Sequence, residues 1–201
     1  ILVAQRDLGS SLLFFGLFLI MLYVATERPG WLVVGTVLFA GGAAAAYKLF
    51  GHVRSRFDVW LDPLGNYQDR GYQLVEGFFG MAWGGLIGRG FGNGHPERII
   101  FAESDFIIAA IGEELGLTAV MAILLCYGLI VERALRIALI SRDGFGKLMA
   151  LGLAAVFALQ VFVVVGGVTG LIPLTGLTTP FLSYGGSSLV ANWVIIALLM
   201  R

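Results

Sequence analysis

Hydrophobic runs long enough to form membrane-spanning helices alternate with short polar segments along this 201-residue chain. A spanning helix needs about 20 mostly apolar residues. A weak, glycine-rich run that contains Glu76 lies at 72–88, and stronger runs lie at 8–26, 30–50, 105–131, 146–168 and 184–200. The pattern therefore predicts one all-α membrane domain over 1–201, with about six transmembrane helices.

The composition agrees with this prediction and excludes a soluble domain. Hydrophobic residues make up 58% of the chain and charged residues 13%, whereas soluble domains carry about 25% charged residues. Basic and acidic residues balance at 13 each, so the charge indicates no nucleic-acid partner, and the expected surroundings are membrane lipid. Cys126, the single cysteine, is expected to be a small packing residue. Because the chain opens at Ile1 rather than Met, we expect it to be a piece of a longer protein.

The basic residues predict an orientation if six spans alternate. Cytoplasmic loops are enriched in Lys and Arg. One set of loops, together with both termini, would hold ten of the thirteen basic residues: Arg6, Lys48, Arg54, Arg56, Arg70, Arg133, Arg136, Arg142, Lys147 and Arg201. The other set would hold Arg28, Arg89 and Arg98. The prediction is that both termini are cytoplasmic and that the 89–104 and 169–183 segments face outward.

A cluster of carboxylates lies where the polar 89–104 segment meets the next hydrophobic run: Glu103, Asp105, Glu113 and Glu114. Ionisable groups in or near the hydrocarbon zone are costly and indicate function. Like charges and burial would raise the pKa of such a carboxylate, as a general base requires. Ser104 or Asp105 can instead cap the helix. The two later glutamates are more simply explained by pairing with basic residues such as Arg89 and Arg98.

Three other polar residues stand in isolation. Glu76 is explained equally well by a buried ion pair and by a place in a substrate cavity. His52 and His95 lie in polar segments without a second histidine or cysteine at ligand spacing. They therefore predict no metal site.

The 169–183 segment is polar through hydroxyl groups rather than charges. Its glycines, prolines and threonines favour a re-entrant or broken segment that lines a cavity. Hydroxyl groups suit sugar binding, although Ser183 or Ser187 can also serve as a cap for the last helix.

Three motifs, in order, resemble those of a known family. Two of them, Glu103-Ser-Asp-Phe-Ile-Ile-Ala109 with Gly112-Glu-Glu-Leu-Gly116 and Pro180-Phe-Leu-Ser-Tyr-Gly-Gly-Ser-Ser188, resemble the SEDS family, the RodA/FtsW cell-wall polymerases. The third, Gln5-Arg-Asp-Leu-Gly-Ser10, resembles that family's Gln-Pro-Asp-Leu-Gly segment, with Arg6 where proline is common. Ile108 replaces a frequent phenylalanine. The match extends over essentially the whole chain.

This resemblance implies the last six helices of a ten-helix bundle. The implied activity is that of a peptidoglycan glycosyltransferase, which polymerises lipid II into glycan strands during cell elongation or division. The implied location is the bacterial cytoplasmic membrane, with the active face outward. A class B penicillin-binding protein that cross-links the product is the implied partner.

The resemblance also implies a mechanism in which the family's essential aspartate, matched by Asp105, is the catalytic base. It would act on the 4-hydroxyl of the acceptor's N-acetylglucosamine, whose oxygen attacks C1 of the donor's N-acetylmuramic acid with inversion and expels undecaprenyl pyrophosphate. Arg89 and Arg98 are predicted to bind that diphosphate, because a guanidinium holds phosphate through two N–H groups. The other predicted substrate-binding residues are Glu103, Ser183 and Ser187. A divalent cation could share the binding of the diphosphate, although no residue cluster identifies a site for it.

Two other functions fit part of the pattern. A flippase or transporter of lipid-linked precursors would also have intramembrane carboxylates and broken helices. The unusual residues cluster at 89–105 and 169–188, on one side of the predicted membrane, which favours chemistry at one face. A non-catalytic scaffold for a penicillin-binding protein is the third possibility.

Overall fold

A computed structural model describes residues 7–68 and 71–200, and within these ranges the chain forms seven α-helices and no strand. The helices are α1 (Leu8–Thr26), α2 (Gly30–Leu49), α3 (Gly51–Leu61), α4 (Tyr72–Gly84), α5 (Ile107–Ile140), α6 (Gly144–Val168) and α7 (Gly186–Met200). A 3₁₀ turn, Pro96–Arg98, lies between α4 and α5. The predicted all-α class is confirmed.

In the described ranges, α1, α2, α5 and α6 are long and apolar enough to cross a membrane. They match four of the predicted spans, although α5 runs for 34 residues and continues well beyond residue 131. α7 is apolar but has 15 residues, and α4 has 13. The helices found at 184–200 and 72–88 are therefore shorter than the predicted spans.

Two of the long helices begin at an aspartate that caps them. Asp7 Oδ1 accepts a hydrogen bond from the N–H of Ser10 (3.0 Å), and Asp143 Oδ2 accepts one from the N–H of Gly146 (2.7 Å). The first N–H groups of a helix have no partner within it, and a short polar side chain supplies one. The bond from Gly146 also holds the pKa of the Asp143 carboxyl below its usual range. The starts of α1 and α6 thus follow from local sequence.

The antiparallel packing of α5 and α6 defines two ends of the bundle. The helices approach closely through small side chains: Ala134, Ala138, Ala150 and Ala154. Small residues at such a contact allow close packing where lipid provides no hydrophobic drive for association. We name the end that carries Asp105 and the 169–185 segment the Asp105 end. The end that carries the turn at 141–143 is the opposite end.

Three more helices run between these two ends. In α1, Gly9 lies against Leu177 at the Asp105 end, and Met21 lies against Gly152 of α6 near the opposite end. α2 packs back along α1, since Leu19 lies against Gly35 and Phe15 stacks on Phe39, so it finishes at the Asp105 end. Leu199, near the end of α7, packs with the alanines of α5 and α6. Among the described helices, five therefore connect the two ends.

The run at 72–88 forms part of a hairpin instead of connecting the two ends. α4 lies beside the beginning of α5 and runs in the same direction, with Gly77 against its first turn and Gly84 against Gly112. The chain then turns and returns to Asp105. The 72–105 hairpin consequently begins and ends at the Asp105 end.

A break in α5 at Gly116 receives the tip of this hairpin. Gly116 has a φ of 77°, in the region that glycine adopts without steric cost. A Cβ there would also come within 2.4 Å of the Gly88 nitrogen. Backbone bonds join the hairpin to the break, from the N–H groups of Leu117, Thr118, Arg89 and Gly90 to the carbonyls of Gly85, Leu86, Glu113 and Glu114, respectively. The backbone groups exposed by the break are thus satisfied.

α3 lies at the Asp105 end, so the predicted side of the 51–71 segment is wrong. Arg56 Nη1 donates a hydrogen bond to the carbonyl of Leu174, and Trp60 Nε1 donates one to the carbonyl of Gly170, both at 2.7 Å. The prediction assumed that every hydrophobic run crosses the membrane. Because the hairpin returns, the segments before and after it share one side.

This correction removes the charge asymmetry from which the orientation was predicted. Among the described basic residues, three lie at the Asp105 end (Lys48, Arg54 and Arg56) and two on the hairpin that starts and ends there (Arg89 and Arg98), against five at the opposite end: Arg28, Arg133, Arg136, Arg142 and Lys147. Arg6, Arg70 and Arg201 lie outside the described residues, as does Gln5 of the first motif.

Cysteine labelling in the membrane tests the hairpin. We expect a membrane-impermeant maleimide to label Arg54→Cys and Tyr184→Cys from one side of oriented vesicles and Phe145→Cys from the other, since 54 and 184 lie at the Asp105 end. The measurement uses the full-length parent protein in a cysteine-free background. Labelling of positions 54 and 145 from the same side would restore the six-crossing arrangement.

Candidate active site

Asp105 lies two residues before α5, with its side chain half-buried. In the part of the chain that the structure describes, no side chain caps α5, and the N-cap residue is Phe106. The Asp105 carboxylate instead accepts a hydrogen bond from the Ser104 hydroxyl, at 2.8 Å to Oδ1. The interpretation of Ser104 or Asp105 as a helix cap is therefore wrong, and the carboxylate is left for another role.

Asp105 contributes to the wall of a cleft of about 400 Å³. Three parts of the chain form the cleft: α3, the 72–105 hairpin and the segment after α6. The other lining residues are His52, Ser55, Arg56, Val59, Trp60, Gln73, Leu74, Phe101, Leu174 and Gly176. A carboxylate and a guanidinium therefore share a largely apolar cleft of the size that holds part of an organic ligand.

Side chains fix the walls of this cleft by bonding to backbone carbonyls. Arg56 and Trp60 fasten α3 to the segment after α6. Gln73 Nε2 donates to the carbonyl of Ile100 (2.8 Å), which joins the two arms of the hairpin. Among the described residues, His52 Nε2 is a buried nitrogen without a hydrogen-bond partner. These contacts hold Arg56 beside the part of the chain that carries Asp105.

Arg89 and Arg98 lie elsewhere on the hairpin. Their guanidinium groups face the ring of Trp83, with Cζ 4.5 Å and 5.9 Å from its centroid, respectively. Such cation–π contacts attract a guanidinium to the face of the ring and hold it there. Neither arginine belongs to the cleft walls that the described residues form.

Glu103, Ser183 and Ser187 have different surroundings. Glu103 is exposed, and its carbonyl accepts a hydrogen bond from the N–H of Tyr184 (2.7 Å). Ser183 Oγ donates to the carbonyl of Ser104 and accepts from the N–H of Thr179. Ser187 is exposed near the start of α7. The structure thus brings Ser183 close to Asp105 through the backbone of residue 104.

The two glutamates of the Gly-Glu-Glu-Leu-Gly motif bind the hairpin. Glu113 is 2% exposed, and its Oε1 accepts a hydrogen bond from the N–H of His95 (2.9 Å). Glu114 Oε1 accepts one from the N–H of Gly92 (3.2 Å). Their predicted pairing with arginine is absent from the contacts of the described residues. Instead, they hold the returning arm of the hairpin against α5.

Glu76 accepts a hydrogen bond from the Tyr67 hydroxyl at 2.8 Å. This bond raises the pKa of Tyr67 above its usual value. Glu76 thus joins the hairpin to the loop after α3, and it does not line the Asp105 cleft as far as the described residues form it.

For a divalent cation, the described ranges provide no group of three or more His, Cys, Asp or Glu side chains that could hold it.

Sequence reasoning missed the contribution of α3, above all that of Arg56. Its eleven residues are too short to span a membrane, and the assumed alternation placed them on the other side. The one available signal was the occurrence of arginine, tryptophan and histidine in a short segment before the hairpin.

The fold and the cleft define a polytopic helical membrane protein with a carboxylate and a guanidinium in a cleft at one end of its bundle. The family model described as "cell cycle protein", FtsW/RodA/SpoVE, matches residues 1–201. The chain belongs to the FtsW/RodA/SpoVE family.

Individual relatives agree with this assignment. The chain is 53% identical over 201 residues to a Mycobacterium tuberculosis protein named peptidoglycan glycosyltransferase RodA, covering 100% of this chain and 43% of that protein. It is 36% identical over 203 residues to a probable peptidoglycan glycosyltransferase FtsW of Geobacter metallireducens, covering 100% of this chain and 54% of the relative. Stage V sporulation protein E of Bacillus subtilis is 36% identical over 207 residues, with 100% and 56% covered. The chain therefore spans about half the length of the curated relatives it matches.

A solved structure shares the fold. It is a chain from a study of how a peptidoglycan synthase complex coordinates polymerization and crosslinking, with a TM-score of 0.79 and 30% sequence identity. The match covers 99% of this chain and 56% of the other.

Removal of the buried Glu113 carboxylate tests its role in holding the hairpin. We expect Glu113→Ala to destabilise the full-length protein by about 1–3 kcal/mol, because the N–H of His95 loses its acceptor. Glu113→Gln keeps a side-chain oxygen and should lose less. Thermal unfolding in detergent measures both, and Glu114→Ala, which loses a longer bond to the hairpin from a more exposed carboxylate, should be destabilised less. Equal stability of Glu113→Ala and wild type would contradict this role.

Proposed function

We propose that this chain is the C-terminal part of a peptidoglycan glycosyltransferase that polymerises lipid II into glycan strands. The observation that carries the proposal is the cleft in which Asp105 and Arg56 line the same walls. Transfer of a sugar from a lipid diphosphate requires a base for the acceptor and positive charge for the leaving group, and the cleft offers one of each. Membership of a family whose relatives are named peptidoglycan glycosyltransferases supports the choice of reaction.

In the proposed step, Asp105 takes the proton from the 4-hydroxyl of the acceptor's N-acetylglucosamine. The oxygen forms a bond to C1 of the donor's N-acetylmuramic acid as the bond from C1 to the diphosphate oxygen breaks. C1 is inverted, and undecaprenyl diphosphate leaves with the electron pair. A positioned general base contributes about 10²–10⁴-fold to such a reaction.

We assign the contact with the donor diphosphate to Arg56 in preference to Arg89 and Arg98. Arg56 lines the cleft with Asp105, whereas the other two stack on Trp83. One N–H of Arg56 is bonded to the carbonyl of Leu174, and a guanidinium has five N–H donors in total. Its remaining donors suit a charge-assisted bond to phosphate. Glu103, Ser183 and Ser187 are proposed to contact the substrate or the chain segments that surround it.

For the setting, we propose the bacterial cytoplasmic membrane with the Asp105 end on the outer face. The glycan product would be assembled there, and large apolar side chains exposed on α1 and α2 suit contact with lipid or with helices outside this chain. We further propose a class B penicillin-binding protein as partner. Similarity to a chain from a peptidoglycan synthase complex supports that partner.

Replacement of Asp105 tests the proposed base. In the full-length parent protein with its partner, Asp105→Ala and Asp105→Asn should lower lipid II polymerisation by about 10²–10⁴-fold, because neither accepts the proton. Glycan chains are measured on gels, and melting temperature and partner binding serve as controls for folding.

The alternatives give different results in this assay. Equal glycan synthesis by wild type and both variants would remove Asp105 from the mechanism. Wild-type protein that binds its partner but neither forms glycan nor moves lipid II would favour a scaffold. Wild-type protein that forms no glycan but moves lipid II across vesicles would favour a flippase.

The arginines are compared by alanine substitution. Arg56→Ala should reduce kcat/KM for lipid II by about 10-fold or more, as expected for the loss of a charge-assisted bond worth about 1.5–3 kcal/mol. Arg98→Ala, which removes a guanidinium outside the cleft, should have a smaller effect. A larger loss in Arg98→Ala than in Arg56→Ala would return the diphosphate contact to the site on Trp83.

A further inference from the structure

The Ser104 hydroxyl lies between two acceptors. Its Oγ is 2.8 Å from Asp105 Oδ1 and 3.2 Å from the carbonyl oxygen of Phe101. A serine hydroxyl has a single proton to donate and can accept hydrogen bonds through its lone pairs. It can therefore donate to one of these oxygens at a time while it accepts a bond from elsewhere.

The backbone around Ser104 is held by the segment that follows α6. The Ser183 hydroxyl donates to the carbonyl of Ser104, and the N–H of Tyr184 donates to the carbonyl of Glu103 at 2.7 Å. Ser183 is itself fixed, because its Oγ accepts from the N–H of Thr179 at 2.7 Å.

This segment is anchored within the bundle by Tyr127 of α5. The buried Tyr127 hydroxyl donates to the carbonyl of Pro180 at 2.6 Å. The Tyr127 ring packs edge-on against Phe157 of α6, with centroids 5.7 Å apart. The next residue, Phe181, has a φ of 63°, which is unusual for a residue with a side chain. The surrounding contacts therefore impose the conformation of the segment that reaches Ser104.

We propose that Ser104 is a positioning residue for Asp105 in glycosyl transfer, and that Ser183 acts through it. The inference rests on the proposed function. While Asp105 is ionised, Ser104 donates to Oδ1 and fixes the carboxylate, so that the other oxygen is directed to the acceptor hydroxyl. Once that other oxygen has taken the proton, Oδ1 becomes the carbonyl oxygen of a neutral carboxyl and a weaker acceptor, and the serine proton can turn to the carbonyl of Phe101. One hydroxyl thus serves both protonation states without movement of the backbone.

This role predicts a specific kinetic signature. Orientation of the base matters at the step in which the proton moves, so its loss lowers kcat and leaves KM for lipid II unchanged. A hydrogen bond to a charged group corresponds to about a 10- to 100-fold change in rate. A residue needed only for folding would instead lower the amount of active protein or the melting temperature.

The experiment measures lipid II polymerisation by the full-length protein with its partner. Ser104→Ala should lower kcat about 10- to 100-fold with KM and melting temperature unchanged, and Ser104→Thr, which keeps the hydroxyl, should restore most of the rate. Ser183→Ala should lower kcat in the wild-type background and add little to Ser104→Ala, because coupled residues are not additive. Thr169→Ala is the matched control, since it removes a hydroxyl that bonds within its own helix end.

Each outcome decides the matter. Equal kcat in Ser104→Ala and wild type overturns the role of Ser104, while the polymerase activity stands. An increase in KM alone overturns positioning in favour of substrate contact. Losses that simply add in the double variant overturn the part assigned to Ser183. If the wild type forms no glycan although it is folded and partner-bound, the proposed function and this inference both fall.

Discussion

At Gly116 the backbone of α5 stops bonding to itself and bonds to another segment. In a regular helix the N–H groups of Leu117 and Thr118 would pair with the carbonyls of Glu113 and Glu114, four residues earlier. Here both pairs are separated, and all four groups bond to the tip of the 72–105 hairpin. In a membrane such groups must find partners within the protein. The break and the hairpin therefore depend on each other, because neither is satisfied alone.

The location of the cleft follows from this pairing. Since the hairpin returns to the end from which it started, α3 and the start of α5 lie at the same end of the bundle. The segment after α6 reaches that end as well, and its bonds with Arg56 and Trp60 close the wall. Asp105 is thus positioned by segments that do not cross the bundle. These segments in turn pack against helices that do cross it.

The sequence predicted the fold class for sound physical reasons. Long apolar runs require helices in lipid, which identified α1, α2, α5 and α6. Carboxylates in or near an apolar run are costly unless they have a role, which drew attention to the cluster at 103–114, and the resemblance to a known family singled out Asp105 within it. A segment that lines a cavity was anticipated at 169–183, where Leu174 and Gly176 do line the cleft, whereas the hairpin at 72–105 was predicted as a weak span.

The remaining features depend on contacts that leave little trace in single-sequence patterns. The hairpin tip is held by backbone groups, which every residue has, so hydropathy alone made 72–88 resemble a weak span. Arg56 and Trp60 likewise bond to carbonyls, and their partners have no characteristic side chain. Once one crossing was miscounted, the side of every earlier segment was misassigned, and α3 was excluded from the site.

Those same bonds to carbonyl oxygens make the cleft wall tolerant of divergence. Arg56 recognises the main chain at position 174, so another apolar residue can replace Leu174 while the attachment of α3 remains. Changes of side chain in the segment after α6 can therefore reshape the inner surface of the cleft while the attachment of α3 is kept. The arginine and the tryptophan of α3 do not have this freedom, because they supply the donors for every such variant.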